Sequence, residues 1–429
     1  MKLLELHVEG YRSLKNITWT PGDLNVLIGP NGSGKTNLAK VLELLTICAK
    51  GSLGDHVQRE GGMRAMSWDG QGGFINLQIR TSLPAPSDPF EKMRRFADSS
   101  DKRESLFYEI TLGWPIWDTK DPSALALSLY TIRKEQLTNK YAADIDLETE
   151  IETVLQRDSS HALILDAGTR EMVDAQKDIA HREPLLSLSR PPFPLNPQIA
   201  EFQQTLASWT IYEELWAKVY SARGRSPFSA ESSVRWPSVA RYETSVSPDG
   251  SNLVSFLHTL YSNDKNFETQ INEAMSAAFG EDFERLSFPP AGDQLIQLRI
   301  RWKSLKREVS AADLSDGTLR FLFLVAVLTN PDPPPLIVIE EPEIGLHPSM
   351  LPIIAEYAVE AATRTQVIFT THSPDFLSAF RETAPTTTVF NWQHGETSLR
   401  VLSGADLDYW LKEYSLGELF RSGQLESME

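Results

Sequence analysis

A glycine-rich segment, placed between an apolar stretch and an amphipathic one, constrains this chain more than any other feature. It matches the pattern G-x-x-x-x-G-K-[ST] in full, through Gly29, Pro30, Asn31, Gly32, Ser33, Gly34, Lys35 and Thr36. The residues before it predict a strand over 24–28, and the residues after it predict a helix over 35–45. A strand, a loop and a helix in this order indicate an α/β fold around the loop.

The residue types of this loop suit the binding of phosphate. Glycines allow backbone N–H groups to surround phosphate oxygens, and the N-terminus of the following helix adds partial positive charge. We expect all eight residues to bind a nucleotide, with Lys35 at the β- and γ-phosphates and Thr36 as a ligand of Mg²⁺. The other interpretation is a chance match, which the flanking strand and helix disfavour.

Two carboxylates follow a second apolar stretch, Leu336 to Ile339, which predicts a buried parallel strand. Ligand sites of open α/β sheets lie at the carboxyl ends of the strands, and Glu340 and Glu341 come at such an end. One carboxylate can hold Mg²⁺, directly or through water, and the next can orient the attacking water. The alternative is an acidic loop after a core strand.

Two shorter segments are further candidates for contact with phosphate. Ser315 precedes a long apolar helix, and it is either a simple N-cap or part of a second phosphate-binding helix terminus. His372 follows a predicted strand over 366–370, and it either caps a turn or senses the γ-phosphate.

These four segments, in this order, resemble the ATPases of the ATP-binding-cassette (ABC) type, and within them the RecF-like, SMC-like and OLD-like branch. The resemblance implies that residues 29–36 are the Walker A loop and that Glu340 and Glu341 are the Walker B pair. It implies further that Glu340 is a Mg²⁺ ligand and that Glu341 is the catalytic base. Lys35 and His372, the latter as the switch histidine, are then the other catalytic residues.

The signature motif of this class has its match between Leu314 and Thr318. The usual sequence is Leu-Ser-Gly-Gly-Gln, of which Ser315 and Gly317 are kept, and both are expected to contact the γ-phosphate. Asp316 departs from that pattern. Glu340 also departs, since an aspartate is usual at its position, and this leaves open whether it contacts Mg²⁺ directly.

Two other stretches are similar to RecF-like proteins. Gly10 to Leu14 resembles their opening strand, and this adds Arg12 to the expected nucleotide-binding residues. Asp249 to Leu253 is similar to a stretch in small bacterial RecF-like ATPases of the AAA family, which favours a standalone ATPase over a transporter subunit.

The separation between Lys35 and Ser315 along the chain indicates a large insertion. We predict an α/β fold, an ABC-type P-loop ATPase head with a mixed β-sheet, interrupted by a mostly helical insertion. The predicted parts are an N-terminal lobe over 1–80, the insertion over 81–250 and a C-terminal lobe over 251–429. The insertion would serve as a lid, an arm or a docking platform for a partner.

Within the insertion, residues 199–220 predict an amphipathic helix with Trp209 and Trp216 on one face. That face either docks a partner or packs onto its own domain. In the class that the chain resembles, the signature of one subunit closes on ATP bound to the other. ATP would therefore join two copies head to tail, in a homodimer or a higher oligomer.

Composition narrows the choice of partners and surroundings. The formal net charge of −17 excludes nucleic-acid binding through the overall field, so only a local basic patch could bind DNA. Arg299, Arg301 and Lys303 alternate on a predicted strand, and they form either such a patch or an ordinary solvated face. The single cysteine, and apolar runs far shorter than the ~20 residues that span a membrane, favour a cytoplasmic protein without a membrane partner.

The function expected from these features is that of a Mg²⁺-dependent ATPase. It would bind ATP between two subunits and gate a sensing or effector activity in bacterial anti-phage defence or genome maintenance. The effector would be a separate chain, such as a nuclease or a toxin. The alternatives are a nucleotide-bound scaffold with negligible turnover that holds an effector inactive, and a RecF-like DNA-repair mediator.

Overall fold

The structure is a computed structural model. It describes residues 1–70, 73–83, 103–114, 130–141, 151–158, 161–175, 183–188, 196–212, 233–380, 383–402 and 416–422. The chain divides into two compact units. The strand-rich unit comprises residues 1–22, 30–209 and 390–401, and the parallel-sheet unit comprises residues 23–29, 210–389 and 402–429.

The strands follow one another along the chain as β1 (Leu3–Tyr11), β2 (Leu14–Trp19), β3 (Leu24–Ile28), β4 (Phe74–Ser82), β5 (Arg103–Gly113), β6 (Thr131–Tyr141), β7 (Ile151–Arg157), β8 (Ala162–Leu165), β9 (Met172–Asp174), β10 (Thr210–Tyr212), β11 (Ser238–Val239), β12 (Phe283–Ser287), β13 (Leu295–Ile296), β14 (Arg299–Trp302), β15 (Val309–Ser310), β16 (Leu336–Glu340), β17 (Gln366–Thr370), β18 (Thr386–Gln393) and β19 (Glu396–Leu402). The α-helices are α1 (Lys35–Lys50), α2 (Leu53–Arg59), α3 (Met63–Met66), α4 (Pro197–Ala207), α5 (Leu253–Asn263), α6 (Lys265–Phe279), α7 (Asp316–Leu328), α8 (Leu351–Ala361), α9 (Pro374–Ala379) and α10 (Leu416–Arg421).

The strand-rich unit is built on one antiparallel sheet with the strand order β2-β1-β4-β5-β6-β7-β8-β9. Alternate residues of β4, among them Ile75, Leu77 and Ile79, are buried, as expected of a sheet with one covered face. Helix α4 packs against α1, and the Gln203 side chain donates a hydrogen bond to the carbonyl of Ala49 at 2.7 Å.

The prediction of a mostly helical segment over 81–250 is wrong for the residues described there. Five strands, β5 to β9, extend the sheet, and α4 is the one α-helix in the described part of that range. Polar residues at inward positions hid the strand period in β6. Glu135 is buried, and its carboxylate accepts hydrogen bonds from the N–H groups of Leu185 and Leu186 and from the Tyr108 hydroxyl.

The helix predicted over 199–220 is shorter in the structure. Helix α4 ends at Ala207, and strand β10 begins at Thr210. Trp209, between the two, is only 1% exposed, so it belongs to the protein interior and not to a docking face. Trp216 lies outside the described residues.

The parallel-sheet unit confirms the predicted α/β head. Strands β10, β16, β17, β3 and β18 lie side by side in this order, and each neighbouring pair is parallel. All residues of β3, β16 and β17 are buried, which suits a sheet covered on both faces. Helix α7 is buried all round from Thr318 to Leu328 and forms the centre of this unit's apolar core.

The parallel order brings the carboxyl ends of three strands to one edge. Glu340, at the end of β16, is paired with Thr370 of β17, and Thr370 is paired with Leu27 of β3. Gly29, the first residue of the glycine-rich loop, follows β3 directly. Among the described residues, no helix has the length and apolar character that a membrane span needs.

Candidate nucleotide site

The glycine-rich loop ends in an open helix N-terminus. Helix α1 begins directly after Gly34, whose φ of 106° lies in the left-handed region. No side chain caps α1, and its first turn holds no acidic residue. The positive end of the helix is therefore available to an anion.

Two residues that were not predicted brace this loop within the strand-rich unit. The Thr397 hydroxyl lies 2.9 Å from the carbonyl oxygen of Ser33 and 2.8 Å from the hydroxyl of Ser13. A Cβ added at Gly34 would come within 2.3 Å of Thr397 Oγ1, so only glycine fits there. The Asn37 amide, from the first turn of α1, donates to Ser13 Oγ at 2.7 Å.

The residues of the loop fit a bound phosphate. Ser33 Oγ is buried, and it has no hydrogen-bond partner among the described residues. Lys35 is largely buried, and its ammonium donates to the carbonyl of Pro30 at 3.2 Å, so it lies over the loop. Thr36 is exposed, as a ligand of Mg²⁺ would need to be. A nucleotide phosphate is the group that this donor set can hold.

The carboxylate predicted to be the base occupies an unusual backbone position in the parallel-sheet unit. Glu341 has a φ of 45°, in the left-handed region that glycine favours. Its N–H donates to the carbonyl of Thr370 at 2.9 Å, and its own carbonyl accepts a hydrogen bond from the buried guanidinium of Arg320. Arg320, on α7, is a residue that sequence reasoning missed, and it fixes the backbone that carries the Glu341 side chain.

The side chain of Glu341 faces the predicted switch histidine. Glu341 Oε2 lies 2.7 Å from His372 Nδ1, and the imidazole is about half exposed. Each residue follows a predicted strand, and the structure shows that these strands, β16 and β17, are neighbours in one sheet. Glu340, by contrast, is buried at the end of β16.

A second carboxylate, Glu343, joins this pair. The Thr371 hydroxyl donates to Glu343 Oε1 at 2.5 Å. Burial, and then the neighbouring Glu341 carboxylate, raise the pKa of Glu343 to about 7. Glu341, Glu343 and His372 each offer a ligand atom within 4.8 Å of the others, so they could hold a divalent cation. The predicted Mg²⁺ ligands, Thr36 and Glu340, are a different set.

The signature segment forms the start of α7. Ser315 Oγ accepts a hydrogen bond from the N–H of Thr318 at 3.1 Å, which is the N-cap geometry. A Cβ added at Gly317 would come within 2.6 Å of the carbonyl oxygen of Gly345, so the glycine allows α7 to approach the loop after the carboxylates. Helix α7 thus contacts this loop twice: Gly317 lies close to the Gly345 carbonyl, and Arg320 donates a hydrogen bond to the Glu341 carbonyl.

Arg12 is held within the strand-rich unit by another side chain. Its guanidinium forms an ion pair with Glu60, and the backbone N–H of Arg12 donates to the carbonyl of Met66 at 2.8 Å. Its predicted contact with a nucleotide stays a prediction.

The three cations of the basic strand have partners in their own unit. Arg299 donates to Gln297 Oε1 at 3.1 Å, and Lys303 donates to the carbonyl of Glu281 at 2.6 Å. Arg301 Nε lies 3.5 Å from a carboxylate oxygen of Glu284. These contacts suit the solvated-face interpretation, and DNA binding here stays a prediction.

Comparisons with known proteins find likeness to ATPase domains in parts of the chain. A family model described as "AAA domain, putative AbiEii toxin, Type IV TA system" matches residues 204–378, and one described as "AAA ATPase domain" matches residues 1–58. The zinc import ATP-binding protein ZnuC of Photobacterium profundum is 36% identical over 87 residues, which are 20% of this chain and 30% of that protein. This chain therefore spans less than a third of that relative's length.

A solved structure extends the likeness to the whole fold. The crystal structure of an SMC head bound to the C-winged helix domain of ScpA has a TM-score of 0.53 and 12% sequence identity, and the match covers 95% of this chain and 100% of that one. At this identity the likeness shows the fold alone. The partial family matches support a P-loop ATPase in general, and the fold resembles that of an SMC head.

Proposed function

We propose that this chain hydrolyses ATP with Mg²⁺ and that ATP joins two copies of it head to tail. The observation that carries the proposal is the Glu341 carboxylate, held 2.7 Å from His372 at the strand edge where β3 leads into the phosphate loop. A carboxylate that follows a buried strand, beside a histidine, suits a general base.

The residues divide the chemistry between binding and proton transfer. Lys35 and the N–H groups at the start of α1 bind the β- and γ-phosphates. Thr36 and Glu340 would hold Mg²⁺, which would neutralise part of the phosphate charge. Glu341 takes a proton from the water whose oxygen attacks the γ-phosphorus, while the bond to the leaving ADP oxygen breaks. His372 keeps the carboxylate in place.

The second copy enters through the signature helix. Ser315 and Gly317 lie at the N-terminus of α7, and a helix N-terminus suits a phosphate. In the proposed pair, this terminus meets the γ-phosphate of ATP held by the other copy. The pair forms with ATP and separates after hydrolysis.

The pairing gates a separate effector, in bacterial anti-phage defence or genome maintenance, and the chain acts in the cytoplasm. The model that matches residues 204–378 is itself described as a "putative AbiEii toxin" of a "Type IV TA system", which supports a role in defence and names no partner chain. Effector capture is tested with Glu341→Gln as bait in the native host and Lys35→Ala as control. Recovery of an identified nuclease or toxin by Glu341→Gln alone supports gating, and recovery of DNA alone favours a repair mediator.

Hydrolysis is tested with Glu341→Gln in the purified protein. We expect the turnover number to fall by about 100-fold or more, because the base is lost, while ATP affinity stays within about threefold. The matched control is Glu171→Gln, because Glu171 is an exposed residue in the strand-rich unit. Undiminished turnover in Glu341→Gln would overturn the assignment of the base. A wild-type protein that binds ATP and shows no turnover would favour the nucleotide-bound scaffold.

A further inference from the structure

The signature helix carries a negative charge at the place where the proposed function puts a phosphate. Asp316 is the first residue of α7, and its side chain is 56% exposed. A carboxylate in the first turn stabilises a helix. A second anion at the same helix end is repelled by it, however, so an acidic signature needs a compensating charge.

The structure contains that charge in Arg235. This residue ends a short 3-10 turn, Ser233–Arg235, and its side chain is only 8% exposed. One nitrogen, Nη1, donates to the carbonyl oxygens of Ala311, Ala312 and Leu314 at 3.1, 3.2 and 2.6 Å. The other, Nη2, forms an ion pair with the Asp316 carboxylate.

The four contacts have two consequences. The three carbonyls fix the guanidinium and, through it, the backbone that leads into Ser315. Carbonyls are neutral, so among these four contacts the one that pairs opposite charges is the contact with Asp316. The start of α7 therefore carries a cation and an anion in contact, and Arg235 offsets the charge of Asp316.

We propose that Arg235 is a positioning residue that makes the acidic signature compatible with phosphate. It neutralises Asp316 and orients Ser315, so that α7 can receive the γ-phosphate of ATP bound to a second copy of this chain. This inference rests on the proposed function, since it assumes that α7 meets ATP in the pair.

The charge role is separable from a merely structural one by substitution of both partners. We measure ATP-dependent self-association by light scattering in the Glu341→Gln background, with ADP as the nucleotide control. Arg235→Met is expected to weaken the pair by about 10-fold or more, because Asp316 is then uncompensated. Asp316→Asn is expected to strengthen it by about threefold or more, because the loss of one negative charge makes the start of α7 more favourable for phosphate.

The double variant decides between the two roles. With both charges gone, the pair is expected to regain at least half of the affinity loss, on a logarithmic scale, that Arg235→Met causes. The loss in Arg235→Met is also expected to shrink as salt rises from about 0.05 to about 0.5 M, because screening weakens the repulsion. A structural role alone predicts no recovery in the double variant and no gain in Asp316→Asn, and this result would overturn the inference.

Two controls keep the outcomes distinct. Thermal unfolding of each variant shows whether it folds, and if Arg235→Met does not, the Asp316→Asn gain alone tests the charge role. If Glu341→Gln forms no ATP-dependent pair, the proposed function fails before this inference is reached. If the pair forms and neither substitution changes it, the inference alone fails.

Discussion

Two helices of this molecule, α1 and α7, begin where phosphate is expected, and their N-termini are finished differently. Helix α1 follows a left-handed glycine, has no side-chain cap and has no acidic residue in its first turn. Helix α7 is capped by its own Ser315 and carries Asp316 in its first turn. Because the first N–H groups of a helix need partners, α1 leaves them to a ligand, whereas α7 has already satisfied one.

The difference suits two tasks. A terminus built from backbone groups and one lysine binds phosphate without rearrangement, as a site that holds ATP should. A terminus that is capped by Ser315 and charge-balanced by Arg235 has less to gain from phosphate alone. In the proposed pair, α1 therefore supplies most of the affinity for ATP. Helix α7 contacts ATP only when the second copy binds.

The largest effect is expected from Lys35→Ala, which tests whether affinity resides at α1. Loss of a charge-assisted contact worth about 3 kcal/mol lowers ATP affinity by about 100-fold. Ser315→Ala, at α7, is expected to leave ATP binding to one copy within about threefold. Titration with a fluorescent ATP analogue measures both. Equal losses of ATP affinity in Lys35→Ala and Ser315→Ala would contradict the proposal that α1, and not α7, supplies most of the affinity.

A smaller effect is expected from two glycines that lie at close approaches. Gly34→Ala places a Cβ 2.3 Å from Thr397 Oγ1, and Gly317→Ala places one 2.6 Å from the carbonyl oxygen of Gly345. We expect Gly34→Ala to lower ATP affinity by roughly 10-fold, because the loop must shift. Gly317→Ala is expected to spare affinity and to lower turnover by roughly 10-fold, because the displaced loop carries Glu341.

Binding titrations and steady-state turnover separate these two results. Gly73→Ala is the control, since a Cβ there meets nothing within 4 Å. Loss of ATP affinity in Gly317→Ala would mean that α7 also holds the nucleotide within one copy.

The smallest effect concerns pH, and it belongs to the loop beside α7. The pKa of Glu343 is raised from its ordinary value of 4.5 to about 7. Between these values the folded protein binds more protons than the unfolded chain, so this group's contribution to stability is lost as pH rises toward and past 7. The melting temperature of the metal-free wild type is expected to fall by a few degrees relative to Glu343→Gln between about pH 5 and pH 8. Parallel pH dependences in the two proteins would contradict the raised pKa.

The parts of the fold that the sequence predicted are those coded by neighbouring residues. The loop at 29–36 and the strand at Leu336 to Ile339 are continuous segments, and each carries its own pattern of glycines or apolar residues. Helix α7 was predicted for the same reason, because its apolar run is unbroken. Parallel pairing of β16 and β17 brought Glu341 and His372 together, and this adjacency came from the structure.

The contacts that hold the site in place were not predictable in this way. Thr397 braces Ser33, and Arg235 holds the backbone before Ser315, across long separations along the chain. Arg320 lies in an apolar helix, where its sequence neighbours give no sign of the carbonyl that it binds. Local patterns therefore revealed the residues expected to act on the nucleotide, and only the tertiary structure revealed those that orient them.

The buried carboxylate of Glu135 has a consequence for how the antiparallel sheet assembles. A slip of β6 by one residue would turn its side chains to the opposite face. Glu135 would then lose the two N–H groups and the tyrosine hydroxyl that satisfy it. Burial raises the pKa of Glu135, because the protein interior disfavours the charged form of its carboxyl group. Glu135 therefore favours the observed register of β6, because this register gives its carboxylate these three hydrogen-bond donors.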